Sequence, residues 1–137
     1  MLTKEITYTD YNGTNHTDTY YFNLNKAEII KLNYKYKGGF DQHIQNIINN
    51  NDERGMLELV EDLILMSHGE KSANGIDFIK NDFTKTRFQN SEAYSELFVE
   101  LISNPDKLTE FVNGIIPAGL MAQLDAIKKK ELEGNHT

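Results

Sequence analysis

The sequence contains no cysteine and no tryptophan, and only 2 of its 137 residues are proline. Without cysteine the chain can form no disulfide framework, no thiolate metal site and no cysteine nucleophile, which suits a reducing compartment. No apolar run approaches the roughly 20 residues that a membrane-spanning helix needs, so we expect no membrane partner. The opening stretch MLTKEITYTD alternates polar and apolar residues and lacks the apolar core of a secretory signal, so we expect the protein to stay inside the cell.

Positive charge is also scarce. The chain has 14 Lys and Arg residues against 21 Asp and Glu residues, for a net charge of −7. Nucleic-acid binding needs a concentrated basic face, so this balance argues against a nucleic-acid partner. Aromatic and basic residues alternate from Tyr34 to Lys37, a pattern that can stack on single strands, but two lysines in an acidic chain support it weakly. We favour a loop or short edge strand that ends at Gly38-Gly39.

A strong helical pattern lies between Asp52 and Gly69. Apolar residues recur there with the period of one helix face, at positions Met56, Leu57, Val60, Leu63 and Ile64. Asp52 can cap the helix N-terminus, and Gly69 can supply its left-handed stop. The pattern predicts a helix in the middle of the core.

Two strands are predicted at the N-terminus, Leu2 to Thr9 and Thr17 to Leu24, around the turn Asp10-Tyr11-Asn12-Gly13. A three-residue loop would place even-numbered residues opposite each other. This register gathers the apolar side chains on one face: Leu2, Ile6, Tyr8, Tyr20, Phe22 and Leu24. We therefore expect the hairpin to pack on helices or to join the sheet of another chain.

Further helices are predicted along the rest of the chain. They span Lys26 to about Leu32 with Ala27, Ile29 and Ile30 inward, Phe40 to about Ile48, Ser91 to Ser103, a segment from Pro105 that ends at Gly114, and Leu120 to about Leu132. The segment His68–Gly75 does not have the spacing of a phosphate-binding loop, and we predict a solvent-facing turn there.

The predicted fold class is α+β and mostly α-helical, with an N-terminal β-hairpin followed by about five or six helices. Residues 1–117 are expected to form a single globular domain. Residues 118–137 are expected to form a C-terminal amphipathic helix and a frayed tail.

Residues that could carry chemistry are scattered. The four histidines, His16, His43, His68 and His136, fall in unrelated turns, flanks and tails, with no nucleophile motif beside them. No second ligand lies at metal-binding spacing from His43. We therefore predict no catalytic residue, no metal and no cofactor, and a protein that is not an enzyme.

Three stretches carry a family resemblance: Tyr20 to Ile29 (YYFNLNKAEI), Gly69 to Ser72 followed by Phe78-Ile79-Lys80, and Glu92 to Phe98 (EAYSELF). From the N-terminus to about Pro117, the chain resembles the tail assembly chaperones of long-tailed phages and prophages of low-GC Gram-positive bacteria. The resemblance implies a non-enzymatic protein of the host cytoplasm that binds and solubilises the apolar helical tape measure protein before the tail tube polymerises. It also allows a contact with the tail tube protein.

Such a role needs apolar surfaces that mask a client reversibly. Two helix faces are candidates, Phe40, Ile44 and Ile48 on one and Leu120, Leu124 and Ile127 on the other, although either face can equally belong to the core. The sequence also allows a homo-oligomer.

Two alternatives stay open at this point. One is a small acidic phage regulatory protein that inhibits a host nucleic-acid enzyme, with carboxylates that mimic phosphates: Glu58, Glu61, Asp62, Glu92, Glu96 and Glu100. The other is a structural component of the phage tail or head.

Overall fold

The N-terminal hairpin has the predicted register. In the computed structural model, which describes residues 1–117, strand β1 (Leu2–Thr9) pairs antiparallel with strand β2 (Asn15–Phe22). Leu2 lies opposite Phe22, so even-numbered residues face each other, and Gly13 takes a positive φ of 83° in the turn. The predicted apolar face is confirmed, because each of its members is buried or partly buried: Leu2, Ile6, Tyr8, Tyr20, Phe22 and Leu24.

The first helix, α1 (Lys26–Lys35), begins at the predicted cap. The Asn25 side chain accepts a hydrogen bond from the Glu28 amide, and the Glu28 side chain accepts one from the Asn25 amide. The helix continues past Leu32 to Lys35, so the loop or edge strand predicted from Tyr34 is wrong over its first two residues. A capping box fixes only where a helix begins, whereas its end depends here on packing against the following helix.

The buried side of α1 differs from the predicted one. Ile29 and Leu32 are buried, whereas Ala27 and Ile30 are exposed, so the prediction that these two face inward is wrong. Apolar residues occur on both sides of this helix, and periodicity alone cannot tell which side meets the core. The second helix, α2 (Phe40–Asn49), matches its predicted span closely.

The central helix, α3 (Glu53–Ser67), is confirmed. Asp52 caps it by accepting a hydrogen bond from the Gly55 amide. Its buried apolar side chains are Leu59, Val60, Leu63 and Ile64. Leu57 is 43% exposed, so the prediction that it lies on the buried face is wrong.

A second small hairpin follows α3, where a solvent-facing turn was predicted. Strand β3 (His68–Lys71) pairs with β2, and strand β4 (Phe78–Ile79) pairs with β3, giving the sheet order β1-β2-β3-β4. Gly69 is therefore a strand residue and not a helix stop. A Cβ built on Gly69 would lie 2.6 Å from Cε2 of Phe78, so the glycine allows a close ring contact. The turn prediction was wrong over residues 68–71, because strands this short leave no periodic pattern, and correct over residues 72–75, which form a largely exposed turn.

Three more helices complete the described part of the chain: α4 (Asp82–Gln89), α5 (Glu92–Ser103) and α6 (Pro105–Ile115). Asn81, Ser91 and Asn104 cap them. Helix α5 contacts β1, α3 and α6, and buries Ala93, Leu97 and Leu101. The fold class is thus confirmed as α+β and mostly helical. The predicted C-terminal amphipathic helix lies outside the described residues.

Candidate partner-binding surface

The predicted face of α2 divides between the core and the surface. Phe40 is 3% exposed and belongs to the core, Ile44 is partly buried, and Ile48 is 51% exposed. The start of α2 is held against α1, because the Phe40 amide donates to Asn33 Oδ1 at 3.0 Å. Ile48 is therefore the member of this face that a partner can reach most fully. The other predicted face, Leu120, Leu124 and Ile127, lies outside the described residues.

A second apolar surface lies on α1, and sequence reasoning missed it. Ile30 is 41% exposed and Tyr34 is 70% exposed. These residues are four apart, so they share a helix face, and exposed Ala27 lies on the same side one turn earlier. We call Ala27, Ile30 and Tyr34 the α1 stripe. The sequence did indicate more apolar residues than one buried face needs, since four of the six residues from Ala27 to Leu32 are apolar. Ala27, Ile29 and Ile30 were nevertheless all predicted to face inward.

A shallow groove of about 250 Å³ lies between α1 and α3, on the other flank of α1. Its apolar lining comes from Leu24, Leu32 and Met66. Lys31 and Lys35 border it, with Glu28. Helix α1 therefore combines apolar side chains with two lysines on a chain of net charge −7.

A partly buried network of hydrogen bonds holds the start of α1 in its orientation. Lys80 Nζ, just before α4, donates to the Asn23 carbonyl at 2.7 Å and to both carboxylate oxygens of Glu28 at 2.8 and 2.9 Å. Glu28 is also the third helical residue of α1, and its side chain accepts a hydrogen bond from the Asn25 amide in the capping box. These residues occur in the stretches that carry the family resemblance, and their contacts hold together the start of α1, the end of β2 and the region after β4.

The acidic residues proposed as phosphate mimics are partly neutralised within the fold. Glu100 accepts from Lys4 Nζ at 3.0 Å, and Glu58 lies 3.4 Å from Arg54 Nε. The first pair is partly buried and the second is exposed and weak, yet each places a cation beside a carboxylate that an inhibitor would need unpaired. The structure thus gives little support to the acidic inhibitor.

Burial perturbs the pKa of two titratable groups, His68 and Tyr94, whereas hydrogen bonds perturb those of Tyr8, Asp10 and Tyr11 near the exposed end of the hairpin. Burial lowers the pKa of His68 to about 4, and burial together with Glu61 raises the pKa of Tyr94 to about 12. Within residues 1–117, no three His, Asp or Glu side chains come together as metal ligands. In the same part of the chain, no helix is long and apolar enough to cross a membrane.

These features define a small α+β domain with an exposed apolar stripe on helix α1. A family model described as phage tail assembly chaperone matches residues 1–136, and the chain belongs to this family. Neither the curated proteins nor the solved structures gave a match. The resemblance to tail assembly chaperones is confirmed, and it supports a role in phage tail assembly with phage tail proteins as partners. Membership also suggests a non-enzymatic role.

Proposed function

We propose that the protein binds the apolar helical tape measure protein in the host cytoplasm and keeps it soluble until the tail tube polymerises around it. The observation that carries this proposal is the α1 stripe, in which Ile30 and Tyr34 are exposed although they are apolar or aromatic. An amphipathic client helix can lay its apolar side along such a stripe. The role is binding and release, without chemistry.

The surface suits a reversible contact. Burying the exposed parts of Ile30 and Tyr34 would contribute about 2 kcal/mol, since full burial of one large apolar side chain contributes about 1.5–3 kcal/mol. Many such contacts along a long client give avidity, while each one can still be displaced. The net charge of −7 would keep the complex in solution.

The test is co-expression with the tape measure protein of the same phage, followed by measurement of the soluble fraction of that client. The double variant Ile30→Gln/Tyr34→Gln should lower apparent affinity about 30-fold, which corresponds to the 2 kcal/mol above. Glutamine keeps the helix propensity of α1, so circular dichroism and Tm should change little.

Val99→Gln is the matched control, because Val99 is an exposed apolar residue (57%) on the unrelated helix α5. Ile48→Gln and Leu124→Asp then test the two predicted faces. If the client stays equally soluble with the double variant and with the Val99 variant, α1 is not the binding surface.

A further inference from the structure

Strands β2 and β3 separate after a very short pairing. Tyr21 lies opposite Gly69 and Phe22 opposite His68, but the pairing ends there. Continued pairing would place Lys71 opposite Thr19. On the other edge of β3, Glu70 and Lys71 pair with β4, and the Ser72 amide donates to the Asp77 carbonyl at 2.9 Å. An open groove of about 880 Å³ lies where the two strands diverge.

The groove borders the edge of β2 at Thr19, where β2 pairs with no other strand of the described residues. In an antiparallel sheet, successive residues direct their N–H and C=O groups to opposite edges. The Asp10 amide donates to the Thr14 carbonyl, and the Asn23 amide donates to the Ser67 carbonyl, so odd-numbered residues of β2 point towards β3. Thr17 and Thr19 therefore direct their main-chain groups to the side where β3 has separated. Neither pairs with another strand on that side within the described residues.

One part of the groove lining is aromatic. Tyr8 and Tyr20 line it there and are partly buried, and the Tyr20 ring rests on the buried Phe88 ring with centroids 5.1 Å apart. Side chains alternate across a strand, so an added strand would direct every second residue towards the two tyrosines. Apolar side chains at those positions would contact the tyrosine rings.

The charge of the groove favours an acidic occupant. The Arg87 guanidinium already pairs with Glu70. Lys71 Nζ lies 4.3 Å from the centroid of the Tyr21 ring, and no carboxylate of the described residues forms an ion pair with it. A carboxylate on the occupant would complement Lys71.

We propose that this groove binds an extended segment of a partner protein, which adds as a strand to the edge of β2 at Thr17 and Thr19 and carries alternating apolar and acidic side chains. Strand addition uses main-chain hydrogen bonds for affinity and alternate side chains for specificity. This site is separate from the α1 stripe and does not depend on the tape measure proposal.

The probe is a library of extended heptapeptides, selected on the full chain. Selected peptides should alternate apolar and acidic residues. In amide hydrogen exchange, the best of them should slow exchange of the Thr17 and Thr19 amides in the unmodified protein. Failure to select any peptide, or selected peptides that leave those amides exchanging rapidly, would overturn the proposal.

Two proline variants locate the site. Thr19→Pro removes a main-chain donor at the groove edge and should weaken peptide binding about tenfold. Thr7→Pro removes the equivalent donor on the outer edge of β1, where the groove is absent, and should leave binding unchanged. Equal weakening by both would contradict strand addition at β2, and the exchange measurement decides the case if either variant misfolds.

The other possible occupants give different results. Protection of Thr17 and Thr19 that grows with protein concentration before peptide is added would assign the edge to a second copy of the chain. Protection at every concentration would assign it to another part of the same chain. Either result would overturn the proposal. The Ile30→Gln/Tyr34→Gln variant should bind the selected peptides normally, which separates this outcome from that of the tape measure test.

Discussion

Burial of His68 should make the stability of the fold depend on pH. Its side chain is 7% exposed, its ring stacks on Phe88 with centroids 4.1 Å apart, and Phe22 lies 5.5 Å away. Its Nδ1 has no close hydrogen-bond partner among the described residues. Removing the imidazole from water disfavours the charged form, and burial lowers the pKa from 6.5 to about 4.

Whether stability rises or falls with pH depends on whether the folded or the unfolded chain binds the His68 proton at the higher pH. Above pH 6.5 the histidine is neutral in both the folded and the unfolded chain, so its full contribution is present. Below that pH the unfolded chain binds the proton while the folded chain does not, until the pH approaches 4. The free energy of unfolding should therefore fall by about 2.5 kcal/mol between pH 7.5 and 4.5, most steeply near pH 5, where the slope is about 1.2 kcal/mol per pH unit.

The assay is urea unfolding at several pH values between 7.5 and 4.5. His68→Phe keeps a ring against Phe88 but cannot titrate, so this variant should lose about 2.5 kcal/mol less than the unmodified protein over the same interval. His43→Phe makes the same substitution on α2, where the ring is only partly buried against Tyr36, and should retain the dependence on pH. The reasoning is refuted if the unmodified protein and His68→Phe lose stability in parallel.

Three further predictions concern the contacts that shape the domain, and urea unfolding measures each one. Lys80→Met should lower the free energy of unfolding by about 1–2 kcal/mol, because it leaves the Asn23 carbonyl and a carboxylate without their donor; an unchanged value would contradict the network. Gly69→Ala should cost about 1–3 kcal/mol through its contact with Phe78, and adding Phe78→Leu should recover part of that loss. Asn25→Ala should cost about 1 kcal/mol by removing the cap of α1, and no loss would mean that tertiary packing alone fixes the helix start.

The α1 stripe illustrates a limit of periodicity. Helix α1 (Lys26–Lys35) contains apolar residues on two sides. The position of the core relative to the helix decides which of these sides is buried. Lys80 contacts Glu28 and Asn23, which lie 52 and 57 residues earlier in the sequence. These contacts help to fix which side of α1 meets the core. The prediction of the inward side of α1 was therefore correct for Ile29 and wrong for Ala27 and Ile30.

The position of the groove beside β2 could be predicted from the sequence even less than the buried side of α1. The four residues of β3 and the two of β4 leave no periodic signal, and their pairings join positions far apart in the sequence. Strand β3 pairs with β2 on one edge and with β4 on the other, and the length of each pairing depends on the tertiary packing around it. Only the assembled sheet shows that Thr17 and Thr19 pair with no other strand on the β3 side within residues 1–117.

The sequence by itself determined the hairpin register, the central helix with its Asp52 cap, and the fold class, because each rests on local chemistry: alternation, helical period and capping side chains. Tertiary structure alone decided which side of α1 faces solvent, how Phe40 and Ile48 divide between core and surface, and where the sheet opens. Those outcomes depend on contacts between residues that are distant in the sequence. The energies of such contacts cannot be inferred from any one segment alone.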